Sequence, residues 1–192
     1  MLFSLLFAYF LGAVPNGLWL CRLLYKKDIR KYNSHNIGAT NVWRTFGKLP
    51  GIMVFLLDFL KGALAVYLAS HRGGTPEAMV AAGIAAMLGH SFSIFLKFKG
   101  GKGVATGLGV IAVLMPLVTG IVFLVWFAIV YRTRYVSLGS VVSAALVPML
   151  AYLFDAPQIY VILGAAAAAL VIVRHRANIA RLMHGSENKV NW

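Results

Sequence analysis

Four stretches of this chain concentrate side chains able to do chemistry, and nearly all of those side chains give hydrogen bonds or carry positive charge. NSHNIGATNVWRTFG (33–47) holds Ser34, Asn36, Thr40, Asn41 and Arg44, and KFKGGKGVATG (97–107) holds Lys102 among Gly100, Gly101 and Gly103. RYVSLGSVVS (134–143) holds Ser137 and Ser140, and RHRANIARLMHGSENK (174–189) repeats His175, Asn178 and Arg181 at three-residue spacing, one face of a helix. A donor set of this kind suits oxyanions, phosphate first among them. Glycines at 100, 101 and 103 let the backbone take positive φ and approach a bound group, and Val104 opens a helix whose first amides face the loop. Lys102 adds a point charge. The stretch is not a nucleotide P-loop, because Gly103 follows Lys102 where Ser or Thr is required. Its bland reading is a basic turn against anionic lipid headgroups. Asp28, ahead of the first stretch, and Glu187, in the last, are the only loop carboxylates on the face where these stretches are expected to gather, too few to chelate, so no metal and no cofactor is expected.

The elements that must present these stretches are membrane spans. The chain has 192 residues, 60% of them hydrophobic and 12% charged, with a mean hydropathy of +0.81, a balance that excludes an ordinary soluble domain. Apolar runs at 2–21, 50–70, 78–96, 136–154 and 157–173 each approach the ~20 residues that a spanning helix needs. The 28-residue run from Val104 to Tyr131 is interrupted at Met115–Pro116. The 18 Lys+Arg against 5 Asp+Glu give +13, which in a soluble protein would suggest nucleic acid. Here basic cytoplasmic loops explain it, and no nucleic-acid partner is expected. If the long run turns at Pro116 and returns as two short helices, 16 of the 18 basic residues fall on one side. The expected fold is therefore all-α: a polytopic membrane protein of seven hydrophobic helices, the fourth and fifth short or partly spanning, with the N-terminus out and the C-terminus in. One domain, 1–192, suffices. The first run lacks a preceding basic residue and a small-residue cleavage pattern, so it reads as a retained span. Irregular backbone at membrane depth needs a lining of protein or water, and a wet cleft is expected on the cytoplasmic side, where the four stretches gather.

Within the spans, Asp58 and Lys61 stand three apart and are expected to pair as a structural ion pair. His90 reads as a buried hydrogen-bonding histidine, with a supporting role at the site as the minor reading. Cys21, the only cysteine, reads as packing. Taken singly, Ser34 and Asn41 could be helix caps, and His175 is more readily an interfacial histidine than a catalyst.

Together and in this order, SHNIGATNVWRTFGK, LLDFLKG (56–62), GHSFSIFLKFKGGKGVATGLG (89–109), RYVSLGSVVS and RHRANIARLMHGSENK resemble the acyl-phosphate-dependent glycerol-3-phosphate acyltransferases of bacterial membranes, the PlsY family. The likeness covers nearly the whole chain. It implies transfer of a fatty acyl group from acyl phosphate to the 1-hydroxyl of glycerol 3-phosphate, giving lysophosphatidate and phosphate. It also implies a multi-pass protein of the bacterial cell membrane, embedded in lipid, with its site on the cytoplasmic side. The resemblance carries over Ser34, Arg44, Lys102, Ser140, His175 and Asn178 as site residues. Two positions depart from the pattern: His35 stands where the family usually has Gly, and Ser93 where it usually has Pro. The first puts the local backbone in question; the second is expected to alter only a helix bend.

The implied substrates fit the donor set, since both carry phosphate and one carries an alkyl tail that lipid can hold. No H-x-x-x-x-D occurs, because Thr40, Pro76, Phe95, Ala180 and Lys189 stand five residues beyond the five histidines. An acyl phosphate is already activated, so direct attack by the glycerol hydroxyl needs no covalent intermediate. Lys102, Arg44 and the glycine amides are expected around phosphate, with Asn36, Thr40, Asn41, Ser137, Ser140 and Arg181 as further donors. Ser34 and Asn178 are expected to fix hydroxyl or carbonyl oxygens. His175 is expected to orient the hydroxyl and act as partial base, with the substrate's own phosphate as the competing acceptor. The rival reading, a transporter of a phosphorylated solute, requires polar groups through to the far side, where only isolated charges such as Arg72, Glu77 and Asp155 stand. A structural subunit touching headgroups would explain the lysines but not the clustered His, Asn and Ser. A monomer is expected.

Overall fold

The computed structural model describes residues 2–71 and 74–191; Arg72, one of the isolated outer charges, lies outside the described residues. All regular elements among them are helical: α1 (Leu2–Ala13), α2 (Asn16–Tyr25), α3 (Ala39–Phe46), α4 (Lys48–His71), α5 (Pro76–Ser91), α6 (Val104–Leu114), α7 (Pro116–Thr133), α8 (Val136–Leu153), α9 (Gln158–Arg174) and α10 (Arg176–Met183). Short 3-10 turns lie at Ile29–Lys31 and Ile94–Leu96. Four helices are long and apolar enough to cross a membrane, or up to six if each bent pair is one span.

Proline places several of the breaks. Pro15 has no N–H and restricts φ, so the first apolar run is two helices, α1 and α2, bent by 42°. Met115–Pro116 divides the long run as expected, with Pro116 at the first position of α7. The two products are not both short, however. α6 has 11 residues, but α7 runs 18 residues through Arg132 and Thr133, long enough to span. At the other end, His175, Asn178 and Arg181 do not share one continuous helix with the last apolar run: α9 stops at Arg174 and α10 leaves at 61°.

The chain divides into two compact units, Met1–Val110 and Ile111–Trp192. In the first, α1 crosses α5 at backbone contact, because a Cβ on Gly12 would overlap the Ala86 carbonyl and one on Gly89 the Tyr9 carbonyl. Ala8, Ala65, Ala82 and Ala86 pack at the same crossing. Small residues are the usual means of close helix approach in lipid, where apolar burial alone gives helices little reason to associate. Gly62 and Gly109 bring α4 against α6 in the same way. Leu18, Cys21, Ile29, Ile37, Val42, Val54 and Leu96 form one buried cluster beneath the irregular segments. In the second unit, α8 packs between α7 and α9. Ser143 Oγ donates to Val122 O at 3.0 Å, and Gly164 lies against the backbone of Pro148, the proline inside α8. Large apolar side chains such as Leu60, Leu124 and Tyr152 are exposed on the helix surfaces, the faces that meet hydrocarbon.

Candidate active site

In Met1–Val110 the first donor stretch is a folded loop. Asp28 opens it by accepting from Arg30 N at 3.0 Å, and its carboxylate pairs with Arg30 at 2.6 Å and Arg22 at 3.2 Å. Hydrogen bonding from Arg30 holds this carboxyl well below the usual range, against the opposing effect of burial and with help from Arg22. Asn41, 2% exposed, ties the loop together. Its Nδ2 donates to the carbonyls of Ile29 (3.2 Å), Tyr32 (3.2 Å) and Asn36 (2.7 Å), and its Oδ1 accepts from Ser34 N at 3.2 Å. Asn36 Oδ1 accepts from Gly38 N at 2.8 Å, turning the chain into α3. Asn41 therefore acts on a ligand only through the residues it places. Ser34, Thr40 and Arg44 are half-buried on the same loop and helix.

His35 has φ +54°, a left-handed conformation in which glycine is unstrained. That is the physical reason for glycine at this position. His35 offsets the strain with two bonds: its amide donates to Tyr32 O at 2.9 Å, and its ring Nδ1 bonds Arg30 O at 2.9 Å.

The glycine loop runs from the end of α5 to the start of α6 and is bonded to the last turn of α5. Phe98 N donates to Ser93 O (2.8 Å), Gly100 N to Ser91 O (3.1 Å) and Gly101 N to His90 O (3.0 Å). The amides of Gly100 and Gly101 thus serve the fold and not a bound anion. Glycine is required there for space, since a Cβ on Gly100 would overlap the His90 carbonyl and one on Gly101 the His90 ring. Gly103, at φ +80°, needs glycine for its conformation. The donors this loop can offer an anion narrow to half-buried Lys102, Gly103 and the first turn of α6. Ser93, expected only to alter a bend, donates its Oγ to Ala13 O at 2.6 Å. It thereby satisfies a carbonyl at the end of α1, next to the Pro15 break.

In Ile111–Trp192 the donors converge on a carboxylate that sequence reasoning left unassigned. Glu187 accepts from Ser137 Oγ (2.9 Å), Asn178 Nδ2 (2.7 Å) and Arg181 Nε (2.7 Å). Burial alone would raise its pKa; the bonds from Asn178, Arg181 and Ser137, with the charge of Arg181, outweigh it and hold Glu187 below its ordinary value. Ser137 and Arg181 are accordingly partners of a carboxylate in this structure. Asn178 is oriented by the same contact: a carboxylate only accepts, so the amide nitrogen faces Glu187 and Oδ1 is turned away as an acceptor. The signal in the sequence was Glu187 itself, the one acid within a stretch of donors.

Ser140 Oγ donates to Val136 O at 2.9 Å and accepts from Trp126 Nε1 at 3.4 Å. His175 sits at the α9–α10 break, 3% exposed, with Nδ1 2.8 Å from Val171 O. A carbonyl cannot donate, so Nδ1 carries the proton and Nε2 the lone pair of the neutral ring. That is the tautomer a general base at Nε2 requires.

Residues 2–185 match the family model described as glycerol-3-phosphate acyltransferase. The chain is 47% identical to the glycerol-3-phosphate acyltransferase of Syntrophomonas wolfei, over 97% of this chain and 95% of that protein. This chain belongs to the glycerol-3-phosphate acyltransferase family. The acyltransferase is also 47% identical to glycerol-3-phosphate acyltransferase 2 of Moorella thermoacetica, over 98% of this chain and 97% of that one. Its fold matches crystal structures of PlsY (YgiH), an integral membrane glycerol 3-phosphate acyltransferase. The TM-score is 0.94 for the glycerol 3-phosphate form, with 40% identity over 99% of this chain and 95% of that one. For the lysophosphatidic acid form it is 0.91 with 39% identity. The acyltransferase is thus a multi-pass, all-helical membrane enzyme of the PlsY type, with bacterial relatives.

Proposed function

We propose that the enzyme transfers a fatty acyl group from acyl phosphate to the 1-hydroxyl of glycerol 3-phosphate, as a single acyltransferase domain in a bacterial cell membrane. The observation that carries this reading is the 40% identity, over nearly the whole chain, to a PlsY whose structures include glycerol 3-phosphate and lysophosphatidic acid forms. The donor assignment is supported by what the chain lacks as a nucleophile. Cys21 is fully buried in the apolar cluster under the loops, and no H-x-x-x-x-D is present. An acyl group that arrives already activated needs neither.

In the proposed reaction the substrate hydroxyl oxygen bonds to the acyl carbon, and the bond from that carbon to the phosphate oxygen breaks, releasing inorganic phosphate. Within Met1–Val110, Lys102 with Gly103 and the first turn of α6, together with Arg44, stabilise phosphate charge, and Ser34 fixes an oxygen. Within Ile111–Trp192, His175 Nε2 accepts from the attacking 1-hydroxyl, orienting it and taking its proton as the new bond forms, and Asn178 Oδ1 accepts from the neighbouring 2-hydroxyl. Ser140 donates to phosphate only by turning its one O–H away from Val136 O, the carbonyl it serves in this structure. The charge distribution supports a cytoplasmic site: with the N-terminus outside and the 104–131 run crossing twice, 16 of 18 basic residues fall inside. The test is phosphate release by purified protein. Release should require both acyl phosphate and glycerol 3-phosphate, and lysophosphatidate should accumulate in equal amount. Equal release without glycerol 3-phosphate would defeat the reading.

A further inference from the structure

Asp58 is buried in α4 at 2% exposure, and the proposed chemistry does not use it. Its Oδ1 lies 2.8 Å from Lys61 Nζ, 3.0 Å from Asn16 Nδ2 and 3.7 Å from His90 Nδ1. Lys61, 5% exposed, also donates to Val14 O at 2.8 Å, a carbonyl left without a helical partner by the Pro15 break. The sequence reading of a structural ion pair accounts for Lys61, which serves both the acid and the kink. It does not account for His90. A buried ion pair is a weak source of stability compared with apolar packing.

His90 is where the two features meet. On one side its ring faces the Asp58 carboxylate. On the other side the ring occupies the space a Cβ of Gly101 would need, while the His90 carbonyl accepts from Gly101 N at 3.0 Å and excludes a Cβ at Gly100. The glycine loop therefore rests on one residue through both backbone and ring. The Asp58 carboxylate stands 3.7 Å from that ring's Nδ1, beyond hydrogen-bond length but close enough for electrostatic attraction.

We propose that Asp58 is a positioning residue for the phosphate loop, acting through the His90 ring on Gly101 and hence Lys102. Asn16 and Lys61 orient the carboxylate; Asp58 orients the ring; the ring sets how the loop presents Lys102 and the start of α6. The inference rests on the reading that this loop binds a phosphorylated substrate.

The experiment is a comparison of Lys102→Ala, Asp58→Asn, His90→Ala, Gly101→Ala and His90→Ala/Gly101→Ala. For each, KM for both substrates, kcat and the melting temperature are measured. Lys102→Ala should raise KM for one substrate by about tenfold or more, and Asp58→Asn should raise the same KM about tenfold with kcat within about threefold. Gly101→Ala should do likewise alone, and should add less than about twofold in the His90→Ala background, because the methyl then occupies the space the ring vacates. Two outcomes overturn the coupling: a folded Asp58→Asn enzyme with unchanged KM, or Gly101→Ala and His90→Ala effects that multiply. If Asp58→Asn does not fold, Asp58→Asn/Lys61→Met, which leaves no unpaired buried charge, takes its place with the same expected rise in KM and the same overturning result. A Lys102→Ala enzyme with both KM values unchanged instead overturns the phosphate reading of the loop.

Discussion

At His175 a backbone carbonyl decides where the proton sits. Because Nδ1 is bonded to Val171 O, Nε2 is the basic nitrogen of the neutral ring. His175→Ala should lower kcat by about 10²-fold with KM changed by less than about threefold, the size expected for a lost acid–base group. Loss confined to KM, with saturated turnover near wild type, would assign the proton to substrate phosphate. Glu187 makes a different prediction, through pH. Its folded pKa is held below the ordinary 4.5, so its contribution to stability is complete above that value and is lost as pH falls through the folded pKa. Glu187→Gln should be less stable than wild type by roughly 2 kcal/mol at neutral pH, since it weakens the bonds from Asn178, Arg181 and Ser137. Melting curves should show that gap constant from pH 8 to about 5 and narrowing in stronger acid. A gap independent of pH would mean that the charge of Glu187 contributes nothing. These roles were only partly legible. Asn41 looked like any other donor in a donor-rich stretch, and its amide turns inward because carbonyls of Ile29, Tyr32 and Asn36 converge on it from the folded loop.

Among the elements, the glycines separate into those that permit contact and those that do not. A methyl at Gly12 would fall on the Ala86 backbone, whereas a methyl at Gly120 in α7 meets nothing within 4 Å. Gly12→Ala should therefore destabilise by about 1–3 kcal/mol, because neither α1 nor α5 can yield without separating. Gly120→Ala should be neutral or stabilising by up to about 1 kcal/mol, from helix propensity. Thermal unfolding of the two variants in the same detergent checks the contrast, and equal melting temperatures would defeat it. The helix ends were less legible than the helices. Pro116 announces its break, whereas Pro15 lies inside a run, 2–21, that reads as one continuous span, and the bend at His175 falls in a run, VIVRHRANIAR, with neither Pro nor Gly. There α10 leaves α9 so that Asn178 and Arg181 can meet Glu187, a contact made through the tail that follows. Periodicity over 174–181 could not register a partner outside that window.

For the molecule as a whole, the count of basic residues predicts sidedness. In a Cys21→Ala background, a membrane-impermeant maleimide should label Thr75→Cys and Asp155→Cys in intact cells, and Lys48→Cys and His184→Cys only after permeabilisation. Labelling of His184→Cys from outside would refute the proposed orientation. Composition, run length and basic loops by themselves determined that the chain is an all-helical membrane protein, because hydrocarbon admits only long apolar segments with internally satisfied backbones. Motif order by itself pointed to the acyltransferase family, and the donor types to phosphate. The tertiary structure alone decided which donors remain available to a ligand. Hydrogen bonds are short and directional, so whether Gly101, Asn41 or Arg181 offers its N–H to a ligand depends on which acceptor the fold brings within about 3 Å. Those acceptors, the His90 carbonyl, the 29–36 backbone and Glu187, are supplied by packing and by chain segments that spacing along the sequence does not connect.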